Sequence, residues 1–433
     1  MNFRFPLSIL LIMVFALAIF DSKAQSRPTM YMDGKVWDPA LGFVKKDLCV
    51  YQQKLVVLSK CFRSSKKISF DGFFLVPPLA DAQHYVAAVD RTRSDRLLRS
   101  GVFYAMNANA SSTELPRLQS FFRSPTTYDM ALMQGAITAD FARFDNSLAG
   151  LAPIPYELNK SANNEVYRIK DKFDIPKTAK QLQEQGSKLV KIFLYYSERH
   201  HSRKNRLDVE TVYGVDPELV ADLVETLHYH NIQVMAQVET DYDTLVAAEA
   251  GVDFITQLPG HSISRDQSIQ PSAKLSIKSI QAMQKNQVKV IPVYHLARTV
   301  SRQAGKSAVT DSHLQQHYQL QRNNLQMLKA YNIPILTGSG GYARLFDEGK
   351  HYYLIGAFSR QEVLNTLFAT SQYLFPNRKL ACFEVGCDAS FLVLGKDPGQ
   401  GLETLNHIEY SMKQGQVIVP PSKRLSARFR SNH

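Results

Sequence analysis

From about residue 79 to about residue 370, short apolar runs alternate with helical stretches, and no other property constrains this chain's fold as strongly. The runs are "FFLVPPLADA" (73–82), "GVFYAMN" (101–107), "GAITAD" (135–140), "KLVKIFLYY" (188–196), "IQVMAQVE" (232–239), "VDFITQL" (252–258), "VKVIPVYH" (288–295) and "IPILTGSG" (333–340). Strand and helix alternating eight times over roughly 290 residues is the arithmetic of a (β/α)8 barrel. The clearest helical stretch is "VDPELVADLVETLHYHN" (215–231). Asp216 caps it, Pro217 suits its first turn, and Leu219, Val220, Leu223 and Leu227 make an apolar stripe.

The two ends of the chain read differently. Residues 29–76 break into short β runs separated by turn signals such as Asp33-Gly34 and Asp71-Gly72. After about residue 378 the pattern returns to strands in "ASFLVLGKD", "HIEYSMKQG" and "QVIVP". The expected organisation is an α/β chain with the barrel over 79–377. Residues 25–78 and 378–420 would join in one small β-sandwich beside it, and 421–433 would form a basic tail.

Residues 6–20, "PLSILLIMVFALAIF", follow Arg4 and precede "DSKA". That order reads as a signal peptide over residues 1–24, and the stretch is short for a membrane span. The predicted protein is exported, periplasmic or secreted. Four cysteines, Cys49, Cys61, Cys382 and Cys387, then read as disulfides, for which three pairings exist. Sequence proximity favours Cys49–Cys61 and Cys382–Cys387, and neither pair has the Cys-x-x-Cys spacing of a zinc site. The formal net charge is +12. Basic residues gather in "ERHHSRKNR" (198–206), whose "RHH" (199–201) reads as a polar loop, and in the tail. Without a recognition motif, nucleic acid is not a predicted partner. An acidic envelope surface is one, and a solvated basic surface is the simpler alternative. Nothing here predicts an oligomeric state.

Six segments, in order, resemble the amidohydrolase superfamily, in its imidazolonepropionase- and prolidase-like branch. "PPLADAQHY" stands for the family's "PPxxDAHxH", "KLVKIFLYYSE" for its lysine strand, and "AQVET" for "AHVET". "QLPG" stands for "HLPG", "GSG" for "GSD", and "ASFLVLGKDP" for the return strand. The resemblance covers nearly the whole chain after residue 24. It implies a barrel holding one or two divalent metal ions such as zinc, used to hydrolyse carbon–nitrogen bonds.

The departures fall on the metal ligands. The family's ligand positions are Gln83, Tyr85, Lys191, Gln237, Gln257 and Gly340 in this chain, and only the lysine is retained. A glutamine carbonyl is a weak neutral donor for zinc, and glycine offers no side chain. Without the aspartate at 340, both generation of the water nucleophile and its general base are missing. The expectation is a dismantled centre with no cofactor and no assigned catalytic residue. Gln83, Tyr85, Lys191, Gln237 and Gln257 would then line a site for a small anionic or amide-bearing ligand, or fill the old cavity by bonding one another. Two alternatives stand beside this pseudoenzyme reading. One is an active hydrolase with a degenerate or relocated site, to which His84, His261, His295, Glu239 and Asp241 lie near enough. The other is a structural envelope protein. His84 is expected to face away from Gln83 and Tyr85 by strand alternation. No Gly-x-Ser-x-Gly elbow is present, and "TGSGG" (337–341) matches no Walker motif.

Overall fold

A computed structural model describes residues 27–62, 66–85, 89–110, 112–139, 166–204, 214–261, 272–295, 311–340 and 345–430. The expected export segment, residues 1–24, lies outside them, as do the end of the basic stretch 198–206 and residues 431–433.

Seventeen strands are described. The N-terminal part holds β1 (Thr29–Asp38), β2 (Gly42–Tyr51), β3 (Lys54–Val56), β4 (Lys66–Ser69) and β5 (Phe74–Val76). The middle holds β6 (Leu79–His84), β7 (Val102–Ala110), β8 (Asp129–Gln134), β9 (Ala136–Thr138), β10 (Val166–Arg168), β11 (Leu189–Phe193), β12 (Gln233–Gln237), β13 (Phe254–Thr256) and β14 (Lys289–Ile291). The C-terminal part holds β15 (Phe391–Leu394), β16 (Ile408–Lys413) and β17 (Gln416–Val419).

Both chain ends enter one eight-stranded sheet, in the order β17-β16-β15-β5-β1-β2-β3, with β4 also on β1. The expected sandwich therefore appears as a single hydrogen-bonded sheet. Its joint is the antiparallel pair β15–β5, with Val393 against Leu75. An aromatic cluster packs there: Tyr31 stacks on Phe70 at 5.0 Å and meets the edge of Phe391 at 5.5 Å. Such ring pairs contribute beyond their area burial. Both expected disulfides are present, Cys49–Cys61 and Cys382–Cys387.

The repeated β/α region differs from expectation in one respect. Its strands form two parallel sheets, β10-β9-β11-β12-β13-β14 and β6-β7-β8, and these named strands do not close into a ring. The eighth run, 333–340, forms no strand. Pro334 has no N–H to give a ladder, and the run makes only an isolated parallel bridge between Val290 and Ile335. Single backbone bonds span the seams: Leu336 N donates to Val290 O at 2.8 Å, and Ala82 N to Thr337 O at 2.8 Å. Strands β8 and β10 are additions to the sequence reading.

The helix read over 215–231 starts as a 3-10 turn, Pro217–Leu219, and continues as Val220–Tyr229. Asp216 accepts from Glu218 N at 3.2 Å, and Val220, Leu223 and Leu227 are buried. The expected polar loop at 199–201 is instead a turn running into the helix His200–Lys204. His200 is buried there, with Nε2 3.4 Å from Asp216 Oδ2. The tail also folds in part: Lys423–Arg430 is helical, and Leu425 is fully buried.

Candidate ligand site at the strand ends

Gln83, Lys191 and Gln237 lie on β6, β11 and β12, Tyr85 and Gln257 just past β6 and β13, and Gly340 at the end of the eighth run. Strand register sets Phe193 beside Gln237 and Gln237 beside Thr256. A first connected group crosses three strands. Gln83 Nε2 donates to the Tyr85 hydroxyl at 3.2 Å, and Thr256 Oγ1 donates to Gln83 Oε1. Lys191 Nζ donates to the same Tyr85 hydroxyl at 3.4 Å. With two donors already on its oxygen, the Tyr85 hydroxyl keeps its own hydrogen for a third group.

Lys191 is 3% exposed. Its ammonium lies over the rings of Tyr85 and Phe193, at 5.5 and 5.6 Å from their centroids. Among the described residues no carboxylate is in ion-pair range of it. Gln237 belongs to a second group: its Nε2 donates to the Tyr195 hydroxyl at 3.0 Å, where burial pushes the phenol pKa well above its usual value. Gln257 is buried, and its side-chain oxygen has no hydrogen-bond partner. Gly340 lies beside Ser339, whose N and Oγ donate to Asp81 at 2.8 and 2.6 Å. Close approach explains Gly338: a Cβ there would meet Ile291 Cγ2 at 2.7 Å and Gln83 Cβ at 3.0 Å.

His84 stands apart from the Gln83–Tyr85–Lys191 group. Its Nδ1 is 3.1 Å from Asp81 Oδ2, and its ring meets Tyr128 edge-on. Burial alone would raise the Asp81 carboxyl pKa, but the His84 and Ser339 hydrogen bonds and the His84 charge hold it low.

Three strand ends are held in left-handed backbone by residues that disfavour it: Tyr196 (φ 54°), Gln257 (φ 53°) and Val293 (φ 55°). A β-branched residue such as Val293 is a strong outlier there. Two buried carboxylates, which the sequence reading did not single out, clamp the ends after β11, β12 and β14. Asp243 accepts from the backbone N–H of Tyr196, Ser197, Glu239 and Thr240 at 2.8–3.1 Å. Glu348 accepts from the N–H of Tyr294 and His295 at 2.8 and 2.9 Å, from the His295 ring, and from Tyr352 Oη at 2.6 Å. Burial would raise Glu348, but the His295 charge and hydrogen bond hold it low. The Glu348 charge in turn raises His295 against its own burial.

Beyond β12 and β13, Glu239 and His261 face each other, with Oε1 and Nε2 3.7 Å apart. Burial and the Asp243 charge raise Glu239 to about 8, and burial lowers His261 to about 4. At neutral pH the pair is a carboxylic acid beside a neutral imidazole. His261 Nδ1 has no partner.

Among the described residues, no three His, Cys, Asp or Glu side chains are grouped to hold a metal ion. Three amides, a phenol, an ammonium and a glycine do not fit zinc, because none supplies an anionic or imidazole donor. The donors this set does offer are the Lys191 ammonium and the Tyr85 hydroxyl. A cleft of about 480 Å³ lies elsewhere, on the terminal sheet around Lys35, Phe43, Phe74 and Gln400.

This mixed α/β architecture is shared with solved proteins of the prolidase and amidohydrolase type. The A. niger ochratoxinase structure matches with a TM-score of 0.67 at 12% identity, over 91% of this chain and 96% of that one. A Xaa-Pro dipeptidase with methionine bound in its active site matches at 0.66 and 13%, over 90% and 99%. Molinate hydrolase matches at 0.65 and 12%, over 91% and 95%. No protein-family model matches the sequence, and no curated protein matches it. In fold the chain resembles the amidohydrolase superfamily.

Proposed function

We propose that this protein is a non-hydrolytic relative of the amidohydrolases that binds a small anionic ligand at Lys191 and Tyr85. The two parallel sheets, linked through Ile335 and Thr337, are then arcs of one (β/α)8-type barrel with the ligand at its mouth. Residues 1–24 act as an export signal. One observation carries the reading: the Lys191 ammonium is 3% exposed and has no described carboxylate partner. A buried cation without a counter-charge is costly, and a ligand carboxylate would relieve that cost. Gln257 Oε1, lacking a partner, offers an acceptor to an amide N–H of the same ligand.

The test is a thermal-shift series with acetate, N-acetylglycine and neutral acetamide. Saturation with a site-specific anion at a hundredfold its Kd contributes about 2.7 kcal/mol to stability. N-acetylglycine is expected to raise Tm more than acetamide does, equally with and without chelator, and Lys191→Met should abolish the rise. Equal shifts by anion and neutral amide, or a shift that survives Lys191→Met, would remove the proposal. Hydrolysis of amide substrates that survives chelation and depends on Lys191 or Glu239 would favour the active-hydrolase alternative.

A further inference from the structure

A separate surface lies at the outer edge of the terminal sheet, where two disulfide-closed loops meet. Lys54 bridges Asp388 in antiparallel register, Leu55 N donates to Cys387 O at 2.9 Å, and Gly386 N donates to Leu55 O at 2.8 Å. Continuing that register sets Val385 opposite Val57. Both are exposed, at 57% and 46%, and so are Leu58 at 38% and Phe62 at 59% on the adjoining turn. These residues cannot easily turn inward. The turn Leu58–Cys61 is tied to β2 through Cys49–Cys61, with Cys61 itself fully buried. Val385 sits inside the ring closed by Cys382–Cys387.

Exposed lysines lie on the adjoining segments. Lys60, Lys66 and Lys67 are exposed on the same turn and on β4, and Lys379 is exposed with its side chain against Gly386. The nearby acids are already matched: Glu384 pairs with Lys46 at 2.7 Å and Asp388 with Lys54 at 2.5 Å. The exposed apolar side chains therefore share this surface with the exposed Lys60 and Lys379. Its apolar groups stand on turns rather than lining a groove.

We infer that this face docks on an anionic lipid bilayer. Val57, Leu58, Phe62 and Val385 enter the boundary between headgroups and acyl chains, while the lysines meet lipid phosphates. Apolar burial and charge act together, and neither alone would hold the protein firmly. The inference is independent of the ligand reading for Lys191, because no residue is shared.

The experiment is vesicle co-sedimentation of the chain from Gln25 onward, which contains every described element. Phosphatidylcholine vesicles are compared with a phosphatidylcholine–phosphatidylglycerol mixture. Binding is expected to the anionic vesicles alone and to weaken with added salt. The double variant Phe62→Ser, Val385→Ser should lower the partition by about tenfold or more. Lys60→Glu with Lys379→Glu should lower it as well. Tyr229→Ser, at an exposed aromatic elsewhere (83%), should leave it unchanged. Circular dichroism melts keep a folding defect from passing as lost binding. Equal binding to neutral and anionic vesicles would overturn the inference, as would indifference to both variant pairs. So would a shift in sedimentation mass on Phe62→Ser, Val385→Ser, which would make the patch a contact between copies of the chain.

Discussion

Glu239 is a carboxyl held far above its usual range. It keeps its proton to about pH 8 in the folded protein, under burial and the Asp243 charge. An unfolded glutamate loses its proton near about 4.3. The folded state thus holds a proton that the unfolded chain has released, so this contribution to stability is full at low pH and drains away as pH rises to about 8. His261 and His317 act in the opposite sense: burial lowers both to about 4, so their contribution grows as pH rises toward the unfolded value of about 6.5. Above that value the two histidines add nothing more, and the loss through Glu239 remains. His295, raised by Glu348, acts in the same sense as Glu239. Urea denaturation should show stability falling between about pH 6.5 and about pH 8, with a shallower fall in Glu239→Gln. A flat or rising curve over that interval would contradict the environment described for Glu239. The six candidate positions were read from motif resemblance rather than from periodicity, and of them Gln83, Lys191 and Gln237 fall within strands β6, β11 and β12. Asp243 and Glu348 were not legible. Each clamps backbone that sequence separates from it, as in Asp243 to Tyr196 and Glu348 to His295, and their roles exist only once those loops meet. Glu239 was noted from its place after β12, but its raised pKa depends on burial that the sequence does not display.

At the scale of elements, β8 was missed, and its first residue links the parallel sheets to the terminal sheet. "DMALMQ" does not alternate cleanly, because four of its six residues are only half-buried. β10 is too short to stand out. Asp129, the first residue of β8, accepts from Arg378 at 2.6 Å and from Lys413 of β16 at 2.7 Å. Arg378 also binds Asp388, and the Lys413 side chain is fully buried. Asp129→Ala would leave that lysine without its acid, and breaking a buried pair from one side typically costs about 3–5 kcal/mol. The fall in urea midpoint should approach that size. Adding Lys413→Met should recover much of it, because the uncompensated charge is then gone. If Asp129→Ala is mild and the double variant no better, the joint is not held by this network. The eighth run shows the complementary limit. "IPILTGSG" reads as a strand, yet Pro334 and the close approach at Gly338 leave it a single bridge.

At the scale of the whole molecule, most of the layout was legible. The alternating middle gave parallel strands, and the two β-rich ends gave partners for each other. Closure was not legible, because hydrogen bonding across a seam leaves no periodicity in either strand. The joint β5–β15 makes a prediction about the whole chain. A chain stopped before Phe391 would lose β15, β16 and β17 and leave β5 unpaired along one side. It should aggregate rather than melt cooperatively, with the free edge as its template. A soluble, cooperatively melting truncation would show that the rest is stable without those strands. The same joint sets an order of events during synthesis. Strands β1 to β5 emerge first and can pair locally, but the partner for the outer side of β5 arrives about 300 residues later. For that interval the growing chain carries an open strand edge, so a holding chaperone would have its natural target in "FDGFFLV" (70–76).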